Sequence, residues 1–246
     1  MKKILFWPYQ LYVWLIFVPL LVVLTFLFAT LTLVSAALVN SSFASRTFGS
    51  AWARSLSYLT PIRVEIEGRE HVDPAQSYIV TSNHQSMYDI LVIYGFSGLD
   101  LKWVMKHELR KVPFIGYGCE AAGHIFVERR NPKQAKQAIA AALEKLSKGI
   151  GILFFPEGTR SSGDRMLPFK KGAFRTAIDQ QLPVLPVTVT GTNEILPNKT
   201  LALFPGKAKI TIHEPIETAV MTSGDIDALM QETRKRIAAA LPEGSD

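Results

Sequence analysis

The sequence predicts an α/β fold, a mixed sheet flanked by helices, preceded by an N-terminal helical membrane anchor. Three observations carry that expectation. No charged residue occurs from Ile4 to Ser45. From Ile62 onward, short β-rich runs alternate with longer helical patterns, as strands and helices laid down in turn would read. Several of the short runs end in a turn bearing a histidine, lysine or arginine, and ligands in open α/β sheets bind at the carboxyl ends of strands.

The uncharged stretch defines the first of two expected domains, residues 1–60. A helix over residues 4–38 would be about 50 Å long at ~1.5 Å per residue, against ~30 Å of hydrocarbon. One straight perpendicular span is therefore not expected. Pro8 and Pro19 offer kinks, and Trp7, Tyr9, Tyr12 and Trp14 are expected to form an interfacial aromatic belt. The run far exceeds the ~7–15 apolar residues of a signal-peptide core, so it reads as a retained anchor and not as a cleaved leader. Residues 42–59 follow as an amphipathic helix, with Phe48, Trp52, Leu56 and Leu59 on one stripe and Arg46, Ser50, Arg54 and Ser57 on the other.

The net charge is +6, and residues 1–64 hold Lys2, Lys3, Arg46, Arg54 and Arg63 with no acidic residue. The basicity thus belongs to the N-terminal end, which suits an anionic bilayer surface and gives no basic globular face for nucleic acid. Basic residues mark the cytoplasmic flank of an inserted segment, and here they stand on both flanks. A bent insertion, kinked near Pro19 and returning through residues 42–59, keeps both clusters on one side. A single tilted span over residues 11–38 keeps only one.

Residues 61–246 form the expected α/β domain. Strands are expected at 62–66, 78–81, 101–105, 125–127, 151–155, 184–190 and 208–213. Helices are expected at 86–94, 114–121, 132–147, 171–180 and 225–240. The single cysteine, Cys119, excludes an internal disulfide, and His71, His84, His107, His124 and His213 are too scattered for a zinc site. No metal or cofactor is expected. No phosphate-binding Gly-x4-Gly-Lys loop occurs.

The chemistry gathers in four stretches. Asn83-His84-Gln85-Ser86-Met87-Tyr88-Asp89 follows the second strand. A strand, a turn and then a helix would let Asp89 reach a ring nitrogen of His84, fix its tautomer and leave the other nitrogen as a base. Lys106 ends the third strand. Arg129 and Arg130 follow the fourth, after Gly123 and Phe126. Phe155-Pro156-Glu157-Gly158-Thr159-Arg160 turns sharply at the end of the fifth. Lys106, Arg129 and Arg160 could converge on one anion, and Gly158 would let the backbone approach it closely.

Taken together and in this order, these motifs and the apolar Val184-Leu185-Pro186-Val187 resemble the glycerolipid acyltransferases of the His-x4-Asp type. The resemblance covers roughly residues 60–215. It implies that His84, oriented by Asp89, takes the proton from the 2-hydroxyl of lysophosphatidic acid. That oxygen attacks the thioester of acyl-CoA or acyl carrier protein and phosphatidic acid forms. It further implies that Lys106, Arg129 and Arg160 hold the acceptor's phosphate, that Glu157, Gly158 and Thr159 complete the substrate site, and that catalysis occurs on the cytoplasmic face of a bacterial inner membrane. A serine hydrolase would use the same His and Asp with a serine, but Gly95-Phe96-Ser97-Gly98 has its second glycine too early for a nucleophile elbow. A membrane-bound scaffold would leave His84 and Asp89 without a task.

Overall fold

The computed structural model describes residues 3–128, 131–145, 149–161 and 165–242. Helix α1 (Lys3–Tyr12), a π-helical turn at Val13–Phe17 and α2 (Val18–Leu38) run on as one helix. Pro19 has no N–H, and its ring crowds the carbonyl four residues back. The turn before it widens, with the Val18 N–H donating to Val13 O, so the helix accommodates proline without ending. The chain reverses instead at residues 39–40. There the Asn40 side chain caps α3 (Ser41–Ala44) by accepting the Phe43 N–H at 2.8 Å. A second π turn, Ser45–Gly49, leads into α4 (Ser50–Leu59) and completes a helical hairpin, tied by the Trp52 indole donating to Thr25 Oγ1 at 3.1 Å.

Composition divides the chain near residue 60, but packing does not. Val13 and Phe17 are buried in the main core, Gln10 donates to Leu203 O at 2.8 Å, and the Tyr12 hydroxyl donates to Leu59 O at 2.7 Å. The expected aromatic belt accordingly splits. Trp7 and Trp14 face outward at 73% and 52% exposure, while Tyr9 and Tyr12 pack against the core. Beyond Pro19 the helix keeps one face on the domain, with Leu21 and Leu24 against the core, and on the other Val22, Val23, Phe26, Leu27, Leu33 and Val34 are exposed. Phe6–Leu38 is long and apolar enough to cross a membrane.

On α4 the expected apolar stripe packs inward, with Leu56 buried and Trp52 and Leu59 against the core, but two residues expected on the polar side join it. Ala53 and Leu56 point inward with Ser50 and Ser57, whose hydroxyls bond the carbonyls of Arg46 and Ala53 four residues back. Small side chains win here because α5 (Tyr88–Phe96) lies close; a Cβ on Gly95 would meet Ala53 Cβ at 3.3 Å. Arg54 donates to Gly95 O.

The strands are β1 (Ile62–Glu67), β2 (Tyr78–Ser82), β3 (Asp100–Lys106), β4 (Ile125–Val127), β5 (Ile150–Phe154), β6 (Val184–Thr190) and β7 (Gly206–Ile212). They form one seven-stranded mixed sheet in the order β1-β7-β6-β2-β5-β3-β4, in which only β6 and β7 pair antiparallel. Its central strands are apolar on both faces because both are covered. Val80, Leu101, Leu153 and Leu185 meet α4 and α5, whereas Ile79, Ile152 and Val184 meet α8 (Gly172–Gln180) and α10 (Ile226–Ala238). Between them in sequence lie α6 (Ile115–Ala121), which packs on α2, then α7 (Pro132–Lys145), and α9 (Thr192–Ile195), which follows β6. The connection leaving β2 departs past β5 toward β3, and the one leaving its other neighbour, β6, departs the opposite way toward β7. A crevice therefore opens at their carboxyl ends.

β3 begins with a buried ion pair. Lys102 is fully buried, and its ammonium donates to Asp100 at 2.8 Å. Loss of solvent pulls the Lys102 pKa down, and the Asp100 carboxylate opposes that. Replacing Asp100 by alanine is expected to destabilise the protein by about 3 kcal/mol or more, since it strands a buried charge. Adding Lys102→Met should recover most of the loss. Denaturant unfolding in detergent measures both; equal stability of Asp100→Ala and the native protein would contradict the assignment.

Candidate active site

The crevice is built from the ends of β2, β5 and β6. Asn83, just past β2, clamps that end to β6: its side chain donates to Val189 O and accepts the Val189 N–H, both at 2.8 Å. The next residues turn, and α5 starts so that Asp89 lies in its first turn, where the helix dipole favours a negative charge. Asp89 is fully buried. Its Oδ2 accepts from His84 Nδ1 at 2.8 Å and from the N–H groups of Gln85 and Ser86 at 2.7 and 2.9 Å; its Oδ1 accepts from the Thr192 hydroxyl. The carboxylate thus shapes the turn that carries His84 as well as holding the ring.

Three further contacts fix the imidazole. Its ring stacks on Phe155, centroids 3.9 Å apart and planes 18° from parallel. The His84 N–H donates to Glu157 Oε1 at 2.8 Å, and the His84 carbonyl accepts the Ser161 N–H at 2.8 Å. With Nδ1–H given to Asp89, Nε2 carries the lone pair and can accept a proton. The buried Glu157 also accepts the Leu167 N–H at 2.8 Å on its other oxygen, and burial pushes its carboxyl above the ordinary range. Both oxygens are engaged by backbone, so Glu157 braces the His84 loop from behind and does not offer itself to a ligand.

Two cavities meet at His84. The first, of about 360 Å³, is apolar and runs between α2, β3 and α6, walled by Phe28, Trp52, Trp103, Phe114, Ile115 and Cys119. His124 borders it, stacked on Trp103 at 4.9 Å and accepting the Trp103 N–H; burial pushes its pKa down to about 3, so it stays neutral. Burial likewise raises the Cys119 thiol to about 12, which leaves it unreactive at neutral pH. The second cavity, of about 590 Å³, leaves His84 on the other side between α7 and α8 and carries Thr159, Arg160, Lys170 and Arg175.

Of the residues expected at the phosphate site, Lys106 and Arg160 line different cavities, both of which reach His84. Lys106 borders the apolar cavity and pairs with Glu108 at 2.8 Å, whereas Arg160 borders the second cavity. Arg129 lies outside the described residues. Gly158 sits at φ +75°, and a Cβ there would meet the Lys170 ammonium at 2.5 Å, so the glycine makes room for a side chain of this chain. Ser86 is buried, its hydroxyl donating to Leu196 O at 2.7 Å, which disqualifies it as a nucleophile. No group of three or more His, Cys, Asp or Glu side chains suited to a metal occurs among the described residues. Sequence reasoning missed Thr192, whose only signal is its place just after β6, and it missed Lys170 and Arg175. A lysine pair immediately before a helix opposes the helix dipole and was a readable sign.

Residues 63–190 match the acyltransferase family. The 1-acyl-sn-glycerol-3-phosphate acyltransferase alpha of Homo sapiens is 31% identical over 189 residues, 76% of this chain and 67% of its own length. A chloroplastic 1-acyl-sn-glycerol-3-phosphate acyltransferase of Arabidopsis thaliana is 33% identical over 192 residues, 77% of this chain and 52% of its own. This chain therefore spans about two thirds of the human protein and about half of the plant one. The crystal structure of the 1-acyl-sn-glycerophosphate (LPA) acyltransferase PlsC from Thermotoga maritima aligns over 97% of this chain and 95% of that one, with a TM-score of 0.79 and 28% identity.

Proposed function

This chain belongs to the acyltransferase family, and on that premise we propose that it moves an acyl group from acyl-CoA or acyl carrier protein to the 2-hydroxyl of 1-acylglycerol-3-phosphate, giving phosphatidic acid. The observation that carries this reading is the place of His84, where an apolar cavity and a cationic one meet. His84 Nε2 takes the hydroxyl proton as the acceptor oxygen bonds to the thioester carbon. The C–S bond then breaks, and the departing thiolate takes the proton back from the imidazolium, which Asp89 stabilises. Acyl transfer is direct, and the reaction as written uses no cofactor. Phe155 and Glu157 hold the base in register, and Arg160, with Lys106 and Arg129 by resemblance, takes the acceptor's phosphate. Purified protein incubated with labelled acyl donor and a panel of lysophospholipids tests the reading. Labelled phosphatidic acid supports it, and free fatty acid formed without an acceptor would replace it with hydrolysis.

The same reading places the protein on a bilayer through the exposed apolar length of α2. The return of the chain through α3 and α4 supports a same-side insertion with the catalytic domain on the cytoplasmic face of a bacterial inner membrane. A cysteine at position 2 in a Cys119→Ala background is expected to resist a membrane-impermeant thiol reagent applied to intact spheroplasts, and to react after lysis. Labelling from outside would establish a full span.

A further inference from the structure

The second cavity is a channel with a direction. On α8 its wall is formed by Gly172, Ala173, Thr176 and Asp179, which lie along one face and cover about 10 Å at ~1.5 Å per residue. On α7 the facing wall is Ala135, Lys136 and Ile139, one turn of helix. The floor is apolar, with Val127 and Phe154, and the rim is cationic. Lys136 is held by Asp179 at 2.7 Å, and Lys171 beside the channel is held by Asp227 at 2.7 Å. Lys170 and Arg175 have no carboxylate partner among the described residues, and both are exposed into the channel. Two unneutralised cations on one wall call for an anion.

The two cavities that meet at His84 differ as the two halves of a thioester donor differ. An acyl thioester is linear: an apolar chain on one side of the reacting carbonyl, and on the other a long, amide-bearing carrier arm that ends in a phosphate. We propose that the α7–α8 channel seats that phosphopantetheine arm, with Lys170 and Arg175 receiving its phosphate. The inference rests on the acyltransferase reading above, and in the cavity that Arg160 also borders it gives Lys170 and Arg175, not Arg160, to the donor. A compact glycerol phosphate needs no channel two helical turns long. Acyl-CoA and acyl carrier protein share the arm, so the site serves either source.

The test is steady-state kinetics of Lys170→Gln, Arg175→Gln and Thr176→Trp with three donors: acyl-CoA, acyl carrier protein, and acyl-pantetheine lacking the phosphate. Losing one charge-assisted contact to a phosphate is expected to raise the donor KM about tenfold. The rise should be similar for acyl-CoA and acyl carrier protein, with the KM for lysophosphatidic acid and the thermal unfolding midpoint unchanged. Acyl-pantetheine should be insensitive to the two charge removals yet hindered by Thr176→Trp, which narrows the channel without touching a charge. A rise in the acceptor KM instead would hand the channel to the acceptor and overturn the proposal. So would an effect confined to acyl-CoA, which would show the cations reading the nucleotide. If the native protein transferred acyl groups from none of the three donors, the acyltransferase reading itself would fall.

Discussion

His84→Ala is expected to lower turnover by about 10²–10⁴-fold, the usual worth of a positioned general base. The side chain is partly exposed at the meeting of two cavities, so its removal takes little from the core. The variant should stay folded and membrane-bound. Asp89→Asn should fall as far, for a reason the hydrogen bonds give. The amide oxygen would sit at the place of Oδ2 and its nitrogen would donate to the Thr192 hydroxyl, so the ring keeps its position but loses the negative charge that stabilises the imidazolium. Transfer assays on both purified variants, with melting curves beside them, check the pair. A well-folded His84→Ala protein with near-native turnover would remove His84 from the chemistry.

The second large effect is expected at Glu157. Its two oxygens accept the N–H groups of His84 and Leu167, and glutamine supplies only one acceptor for the two. One backbone N–H must turn away, and the His84 loop shifts. Displacing a catalytic group by about 1 Å costs on the order of 10²-fold. Glu157→Gln should therefore lower kcat about a hundredfold with donor and acceptor KM values nearly unchanged. A raised acceptor KM with native kcat would instead put Glu157 in contact with substrate.

Much of this fold is written locally. The seven expected strands fall on β1 to β7 with ends shifted by two residues at most, because each is a short apolar or alternating run bounded by turn residues. Their order in the sheet is not local, and nothing in Tyr78-Ile79-Val80 says that β5 will lie on one side and β6 on the other. The His84–Asp89 spacing was legible because strand, turn and helix leave few ways to fold seven residues. Thr192 was not, since its bond to Asp89 joins residues 103 apart in the chain. Ser50 and Ser57, expected on the polar side of the amphipathic helix, were not legible for a related reason. A stripe is read by side-chain polarity, yet α4 meets α5 through serines and alanine, where size decides the fit and hydroxyls bond back to their own helix.

The long N-terminal helix is two things at once. Its first half fills the core through Val13 and Phe17, and its second half, with Thr25, Phe28, Ala29 and Thr32, walls the apolar cavity beside His84. The apolar helix proposed to hold the protein on a bilayer is consequently not an interchangeable tether. Trimming it for solubility would open the core and unroof the reaction chamber in one cut, and grafting a foreign transmembrane segment would keep the address while losing the wall. On that proposal location and reaction are inherited together in this chain, because one stretch of helix specifies both.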